Sequence, residues 1–418
     1  MNSKKFLAFT MAAAMTLSLA ACGGNGGSAS SAGGSSASAS TGDTSTGGVT
    51  AGTTVKEVVD PTGAAFKIGA TGPLTGGASI YGLAAYRGAQ IAVNEINEAG
   101  GDIQFELNYQ DDQNVPETAV NAYNNLKDWG MQISLGSVTT QPGIATSQYN
   151  FEDRIFALTP SASSPDVIAN KDNVYQMCFS DPNQGLASAQ YISEQGLGEN
   201  VYIIWKNDDV YSTGIKEQFV AEAEELGLNI VGDSTFTEDT KSDFTVQLTD
   251  AQQKGADLVF LPMYYEPASL ILTQADAMGY EPKFFGVDGM DGILTMDGFD
   301  ASLAEGVMLL TPFNADATDD ATVAFVTKYQ DLYGEAPNQF AADGYDCIYA
   351  LKLALETAGC TPDMTAEAIN DALIAAFPTI TLTGLTGDGQ GITWDSTGAV
   401  SKAPKGMVIE NGAYVGMD

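Results

Sequence analysis

A short apolar run at positions 66–71 ends at Gly72 and Pro73, and a Gly/Ser-rich turn follows. From Tyr81 the period changes. Ala85, Ala89, Ala92, Ile96 and Ala99 recur at three- and four-residue spacing, which is one face of a helix, and Gly100 with Gly101 stops it. The pattern therefore predicts a strand, an open glycine turn and a helix, with the turn at the strand's carboxyl end, where open α/β sheets bind ligands. The same alternation continues. Ile103, Phe105, Leu107 and Tyr109 alternate with polar residues as a strand, and Pro116 and Glu117 open the next helix in the favoured first-turn manner. Strands are expected at 131–136, 154–159, 201–205 and 258–261, each running into a polar loop. Helices are expected at 267–278, about 318–333, 340–358 and 365–376, before a Gly/Thr-rich stretch that reads as short antiparallel pieces.

The succession helix, glycine, strand, polar loop, proline at 126–142 recurs at 251–267, as two similarly built lobes would require. A chain of 418 residues also exceeds what one core serves. The predicted fold is two doubly wound α/β lobes joined by a hinge of three crossings, the geometry for closing around a ligand. Residues 61–180 with 311–385 are assigned to the first lobe, and 181–310 with 386–418 to the second.

The first 60 residues break this pattern. Lys4 and Lys5 precede an apolar segment that closes on Leu19-Ala20-Ala21-Cys22-Gly23. That is a secretory signal in charge order and length, and its end resembles a bacterial lipobox, in which the cysteine is acylated and becomes the first mature residue. Residues 1–21 are thus assigned as a lipoprotein signal peptide. Residues 22–60, rich in Gly, Ser and Thr, form a tether with too little apolar content to order itself and a root-mean-square reach of about 35 Å. Losing residues 1–21 removes two lysines and no acid, moving the net charge from −36 to −38. Nucleic acid and anionic headgroups would repel such a chain, so attachment must come from the lipid on Cys22, where diacylation supplies two chains.

Histidine is absent. This excludes Ser-His-Asp and Cys-His nucleophilic sites and imidazole-held zinc. Cys178, Cys347 and Cys360 show no CxxC spacing and read as small buried hydrophobes. Asp111-Asp112 and the acidic stretch at 217–225 lack a calcium-loop pattern and read as solvated faces. No cofactor or metal is expected, and no enzyme activity.

Gly72-Pro73-Leu74, Tyr81-Gly82, Gly88-Ala89 through Asn97, and Gly100-Gly101 together resemble the opening of the type I periplasmic binding proteins, specifically the branched-chain amino-acid receptors of ABC transporters. The resemblance runs over about residues 65–400. It implies a monomeric extracytoplasmic lipoprotein, anchored to the bacterial cell membrane, that captures an amino acid between two lobes and delivers it to the permease of an ABC importer. A receptor for small amides or other polar solutes, or a surface sensor of amino acids, are the alternatives. Carried over, Thr140, Ser161 and Ser163 take the ligand's carboxylate and help hold its amine, with Thr139 an alternative to Thr140. Asp288 takes the ammonium, and Tyr81, Tyr211, Tyr264 and Phe340 line the pocket. By themselves the hydroxyls fit plain helix capping, Asp288-Gly289 fits a turn, and the aromatics fit core packing.

The lipobox reading makes a direct prediction: Cys22→Ser releases the protein to the medium or leaves it unprocessed. A processed variant that still fractionates with membranes would refute the lipid anchor.

Overall fold

The computed structural model describes residues 58–417 except Asp388 and Gln390. The signal peptide, Cys22 and nearly all of the tether lie outside the described residues. The tether's end is described, and it is already tied down. The Val59 amide donates to Asn94 Oδ1 at 3.0 Å, and Asn97 Nδ2 donates to the Val59 carbonyl at 2.8 Å.

The first lobe opens with β1 (Phe66–Gly72), α1 (Ser79–Ala99), β2 (Phe105–Asp111), α2 (Pro116–Trp129), β3 (Ile133–Leu135), α3 (Thr140–Glu152), β4 (Phe156–Thr159) and β5 (Val174–Gln176). The strands form one sheet in the order β2-β1-β3-β4-β5, parallel throughout. Parallel pairing needs a covered sheet on both faces, and β3, β4 and β5 are buried along their whole length.

The chain then crosses to a second lobe. It comprises α4 (Asp181–Glu194), β6 (Val201–Lys206), α5 (Val210–Leu226), β7 (Ile230–Phe236), α6 (Thr245–Gln253), β8 (Leu258–Leu261), α7 (Tyr265–Ala277), β9 (Lys283–Gly286) and β10 (Met308–Thr311). The first lobe resumes with α8 (Asp320–Tyr333), α9 (Gln339–Ala358) and α10 (Ala366–Ala376). A hairpin, β11 (Lys405–Glu410) and β12 (Ala413–Gly416), returns to the second sheet, whose order is β12-β11-β10-β9-β8-β6-β7. Only the hairpin pairs antiparallel. The strand at β7 was not legible in sequence, because its residues are half exposed and mostly small or polar.

Residues 386–401, which the sequence pattern assigns to the second lobe, bond to the first instead. Trp394 Nε1 donates to the Gln176 carbonyl at 2.7 Å, the Gln176 amide donates to Gly398 at 2.9 Å, and Asp346 Oδ2 of α9 accepts from the amide and hydroxyl of Thr386. The third crossing therefore falls next to Lys402. That ammonium meets Asp343 of α9 at 2.5 Å, with both side chains 2% exposed. Asp112, expected on a solvated face, is also buried, and burial pushes its carboxyl up to about 7. The three described cysteines are buried and unbridged.

Helices α1 and α9 pack tightly enough for their backbones to touch. A Cβ on Gly88 would lie 1.8 Å from the Ala341 carbonyl oxygen, and one on Gly344 would lie 2.2 Å from that of Ala85. Only glycine permits this approach.

Removing one member of a buried ion pair strands the other, so Asp343→Ala is expected to destabilise the fold by roughly 3–5 kcal/mol. Asp343→Leu combined with Lys402→Met should recover most of that loss in chemical denaturation. Equal stability of Asp343→Ala and wild type would show that the pair does not hold the third crossing.

Candidate functional site

Each sheet points its strand carboxyl ends at the other lobe. On the first-lobe side, the loop after β3 is fixed from beneath. Ser137 Oγ lies 2.7 Å from Thr71 Oγ1, and Thr159 Oγ1 donates to the Ser137 carbonyl at 2.6 Å. Ser161 Oγ donates to the Val138 carbonyl at 2.6 Å, joining the loop after β4 to the loop after β3. Its proton is thus committed to the scaffold, which leaves only its oxygen lone pairs for a ligand. Three neighbouring hydroxyls are not committed. Thr139 Oγ1, Thr140 Oγ1 and Ser163 Oγ are buried without a hydrogen-bond partner among the described residues. Thr139 occupies the cap position of α3 without making a side-chain cap, so plain capping does not explain it. Two hydroxyls at the start of a 13-residue helix suit an anion, which the helix dipole and free amides also favour.

On the second-lobe side, Asp288 begins a single helical turn after β9 and is 3% exposed. Its Oδ1 accepts from Tyr211 Oη at 2.5 Å, and its amide donates to Gln184 Oε1 at 3.1 Å. Burial drives the carboxyl from the ordinary 3.8 to about 7, against the pull of the Tyr211 hydrogen bond and of the nearby Gln184 side-chain amide, whose Nε2 stays outside hydrogen-bonding geometry. An open cleft would leave this carboxylate in water; the lobes here are closed, and it is dry. Asp181, in the first turn of α4, is fully buried, and neither carboxylate oxygen has a partner among the described residues. Burial pushes it well above the usual carboxylate range. The Ser163 hydroxyl, close by but outside hydrogen-bonding geometry, opposes that shift, and the Asp288 charge adds to it. The sequence pattern did not single out Asp181 or Gln184. An acid after Ser180, beside Pro182, reads as an ordinary helix start; only the packing shows it is dry.

Aromatic rings join the halves. Tyr81 of α1 stands 4.5 Å from Phe340, 5.3 Å from Tyr264 and 5.0 Å from Tyr265, and Tyr264 stands 4.8 Å from Tyr211. The Tyr81 hydroxyl donates to the Gly289 carbonyl and accepts from the Tyr265 amide at 3.1 Å. Tyr81, Tyr211, Tyr264, Asp288 and Phe340 therefore gather at one inter-lobe cleft, and Ser163 reaches it beside Asp181. Trp205, near the end of β6, lies apart from the cleft: its Nε1 donates to Asp233 on an exposed part of the second lobe. A cavity of about 310 Å³ marks the mouth, lined by Gly77 and Gln141 from one lobe and Lys206, Lys241, Tyr264 and Glu266 from the other.

The periplasmic binding protein family matches this chain over residues 65–401. The chain belongs to that family. It is a solute-binding protein and not an enzyme. This periplasmic binding protein is 28% identical to a Leu/Ile/Val-binding protein homologue of Brucella melitensis over 360 residues, covering 84% of this chain and 93% of the relative. Among solved structures, it is similar to a leucine-binding protein of Thermotoga maritima at 26% identity and a TM-score of 0.75, covering 84% of this chain and 98% of that one. It is also similar to the branched-chain amino-acid transporter substrate-binding protein of Streptococcus pneumoniae, solved with isoleucine. That match has 27% identity and a TM-score of 0.75 and covers 84% and 97% of the two chains.

A carboxyl that keeps its proton longer in the folded chain than in the unfolded one stabilises the fold at low pH. That contribution is lost as pH rises from about 4 through 7. In the ligand-free binding protein, Asp288→Asn removes a charge that is costly only once ionised. The variant should match wild type near pH 3, gain on it as pH rises from about 4 through 7, and exceed it by roughly 2–4 kcal/mol at pH 8. Thermal unfolding at the two pH values checks this; coincident curves at pH 8 would mean that Asp288 is hydrated in solution.

Proposed function

We propose that this protein captures an amino acid with an apolar side chain, of the branched-chain type, and presents it to the permease of an ABC importer. The observation that carries this reading is the polarity of the cleft. Unpartnered hydroxyls at the start of α3 and in the loop after β4 face a pair of buried acids across the lobe boundary. A zwitterion has the matching poles. Its carboxylate would meet Thr140 and Ser163, with Thr139 beside them, and Ser161 would contribute a lone pair and position the loop. Its ammonium would meet Asp288, with Asp181 as a second acid. Tyr81, Tyr211, Tyr264 and Phe340 would enclose the side chain.

Because different lobes hold the two poles, the ligand favours the closed arrangement over the open one. The low dielectric of the closed cleft strengthens both sets of contacts. The leucine- and isoleucine-binding relatives support the choice of a branched aliphatic side chain. The acids argue against small amides, which bring no positive charge. The protein acts as a monomer held to the membrane through acylated Cys22; the lipobox and tether composition support that attachment.

The test is calorimetry on the mature domain with L-leucine, L-isoleucine, L-valine, L-alanine, acetamide and 4-methylvalerate, the last being leucine without its ammonium. The branched L-amino acids should bind, and acetamide and 4-methylvalerate should not. Asp288→Ala leaves a buried ammonium short of a partner and should weaken binding by roughly 2–5 kcal/mol, about thirty- to several-thousand-fold. Asp288→Asn should lose less. If Asp288→Ala binds within about threefold of wild type, Asp288 is not the amine site.

A further inference from the structure

The turn that carries Asp288 also carries a second buried acid three residues on, and that acid faces the other way. Asp291 is 1% exposed and belongs to the second lobe, yet its Oδ2 accepts the Gln339 backbone amide of the first lobe at 2.9 Å. Gln339 is the first residue of α9, a 20-residue helix. The helix's own cap, Asn338, serves only the Ala341 amide, at 3.2 Å. The Gln339 amide is one of the four donors a helix cannot satisfy internally, and here the opposite lobe satisfies it. The negative charge also stands at the positive end of the helix dipole. Gln339 makes a second contact with the same turn, because its Nε2 donates to the Asp288 carbonyl at 3.0 Å. On the second lobe's own side, Thr311 Oγ1 makes a long 3.5 Å contact, the Tyr414 hydroxyl and the Gly292 amide lie near enough to favour the carboxylate, and Oδ1 stays outside hydrogen-bonding geometry with any described residue. Among the described residues, the shortest hydrogen bond this carboxylate accepts runs across the cleft, from the Gln339 amide.

We propose that Asp291 is a closure latch: by capping α9 it docks the second lobe on the first, and it couples docking to ligand capture because Asp288 lies on the same turn. The latch makes no contact with the ligand in this scheme. It is a positioning residue, and it depends on the cleft being the ligand site but not on which ligand enters. Fixing the Asp288 side chain on a ligand orders the turn, which sets Asp291 against the Gln339 amide. Removing the latch leaves the ligand contacts intact and lets the lobes part.

Two variants attack the contact from opposite lobes. Asp291→Ala removes the acceptor. Gln339→Pro removes the amide donor at the first helical position, where proline is well tolerated and where Asn338 before it is already extended. Gln339→Leu keeps the amide and deletes only the side-chain donor.

The measurement is the inter-lobe distance by electron–electron double resonance. Nitroxide amino acids replace the exposed Val246 of the second lobe and Val323 of the first, with and without saturating L-leucine. With L-leucine, wild type should show one short distance. Asp291→Ala and Gln339→Pro should each move at least half the population to a longer one. Both should bind L-leucine tenfold or more weakly through faster dissociation, with Gln339→Leu between them and wild type. The double variant Asp291→Ala/Gln339→Pro should be no worse than the poorer single one, since both remove one contact. Unchanged distances in both single variants, or losses that multiply in the double variant, would overturn the latch. If wild type does not bind L-leucine, the amino-acid reading fails separately. The latch is then judged on the ligand-free chain, where a smaller short-distance population in both variants supports it and identical populations overturn it.

Discussion

A carboxylate cut off from water needs a positive partner or a proton. That constraint organises the cleft. Asp288 and Asp181 are both dry and both pushed toward the protonated state, and the Asp288 charge disfavours that of Asp181. Among the described residues, no second-lobe cation pairs with them in the way that Lys402 pairs with Asp343. The pair is stable in a closed clamp as neutral acids, or as anions when a cationic group enters with them. The first lobe presents the complementary deficit, hydroxyl groups and helix-start amides whose needs are met by an anion. Two sheets with their strand carboxyl ends facing bring the deficits together. Either lobe alone would expose its polar groups to water, which would satisfy them.

This arrangement explains what could be read from the sequence. Fold class was legible because parallel sheets impose long-lived patterns: buried runs such as β4 and β8, glycine stops such as Gly130 and Gly227, and polar loops in phase with them. The candidate site was legible through those loops, because residues at strand carboxyl ends gather wherever the fold is doubly wound. What escaped depends on partners far away in the chain. Asp181 has the local look of a helix start, and its significance lies in the absence of water around it. The half-exposed β7 carries too little apolar contrast to register. The third crossing was placed too early, at residue 386 instead of next to Lys402, because the 386–401 segment has no period of its own. Its attachment to the first lobe rests on single contacts such as that of Trp394 with Gln176, 218 positions away.

The hinge region combines two kinds of restraint. Trp394 and Asp346 tie the last first-lobe segment in place through neutral or capped hydrogen bonds, whereas Lys402 and Asp343 do so through a buried ion pair. Ion pairs of this sort add little net stability but penalise every alternative arrangement heavily, because separating them strands a charge. Rotation about the crossings is therefore channelled: backbone torsions change while the anchor on α9 stays fixed.

The glycine contacts between α1 and α9 have a consequence for how this receptor could diversify. Tyr81 sits on one of these helices and Phe340 and Gln339 on the other, so locking their backbones together turns one wall of the cleft into a single preformed part. Its ordering entropy is spent during folding and not during capture, which is the general advantage of preorganisation. The opposite wall is assembled from three separate loops, after β6, β8 and β9. Substitutions there could reshape the pocket one loop at a time, while changes at Gly88 or Gly344 would shift every aromatic on the rigid wall together. Selectivity in such a molecule is most easily retuned from the second lobe, with the first serving as a fixed template.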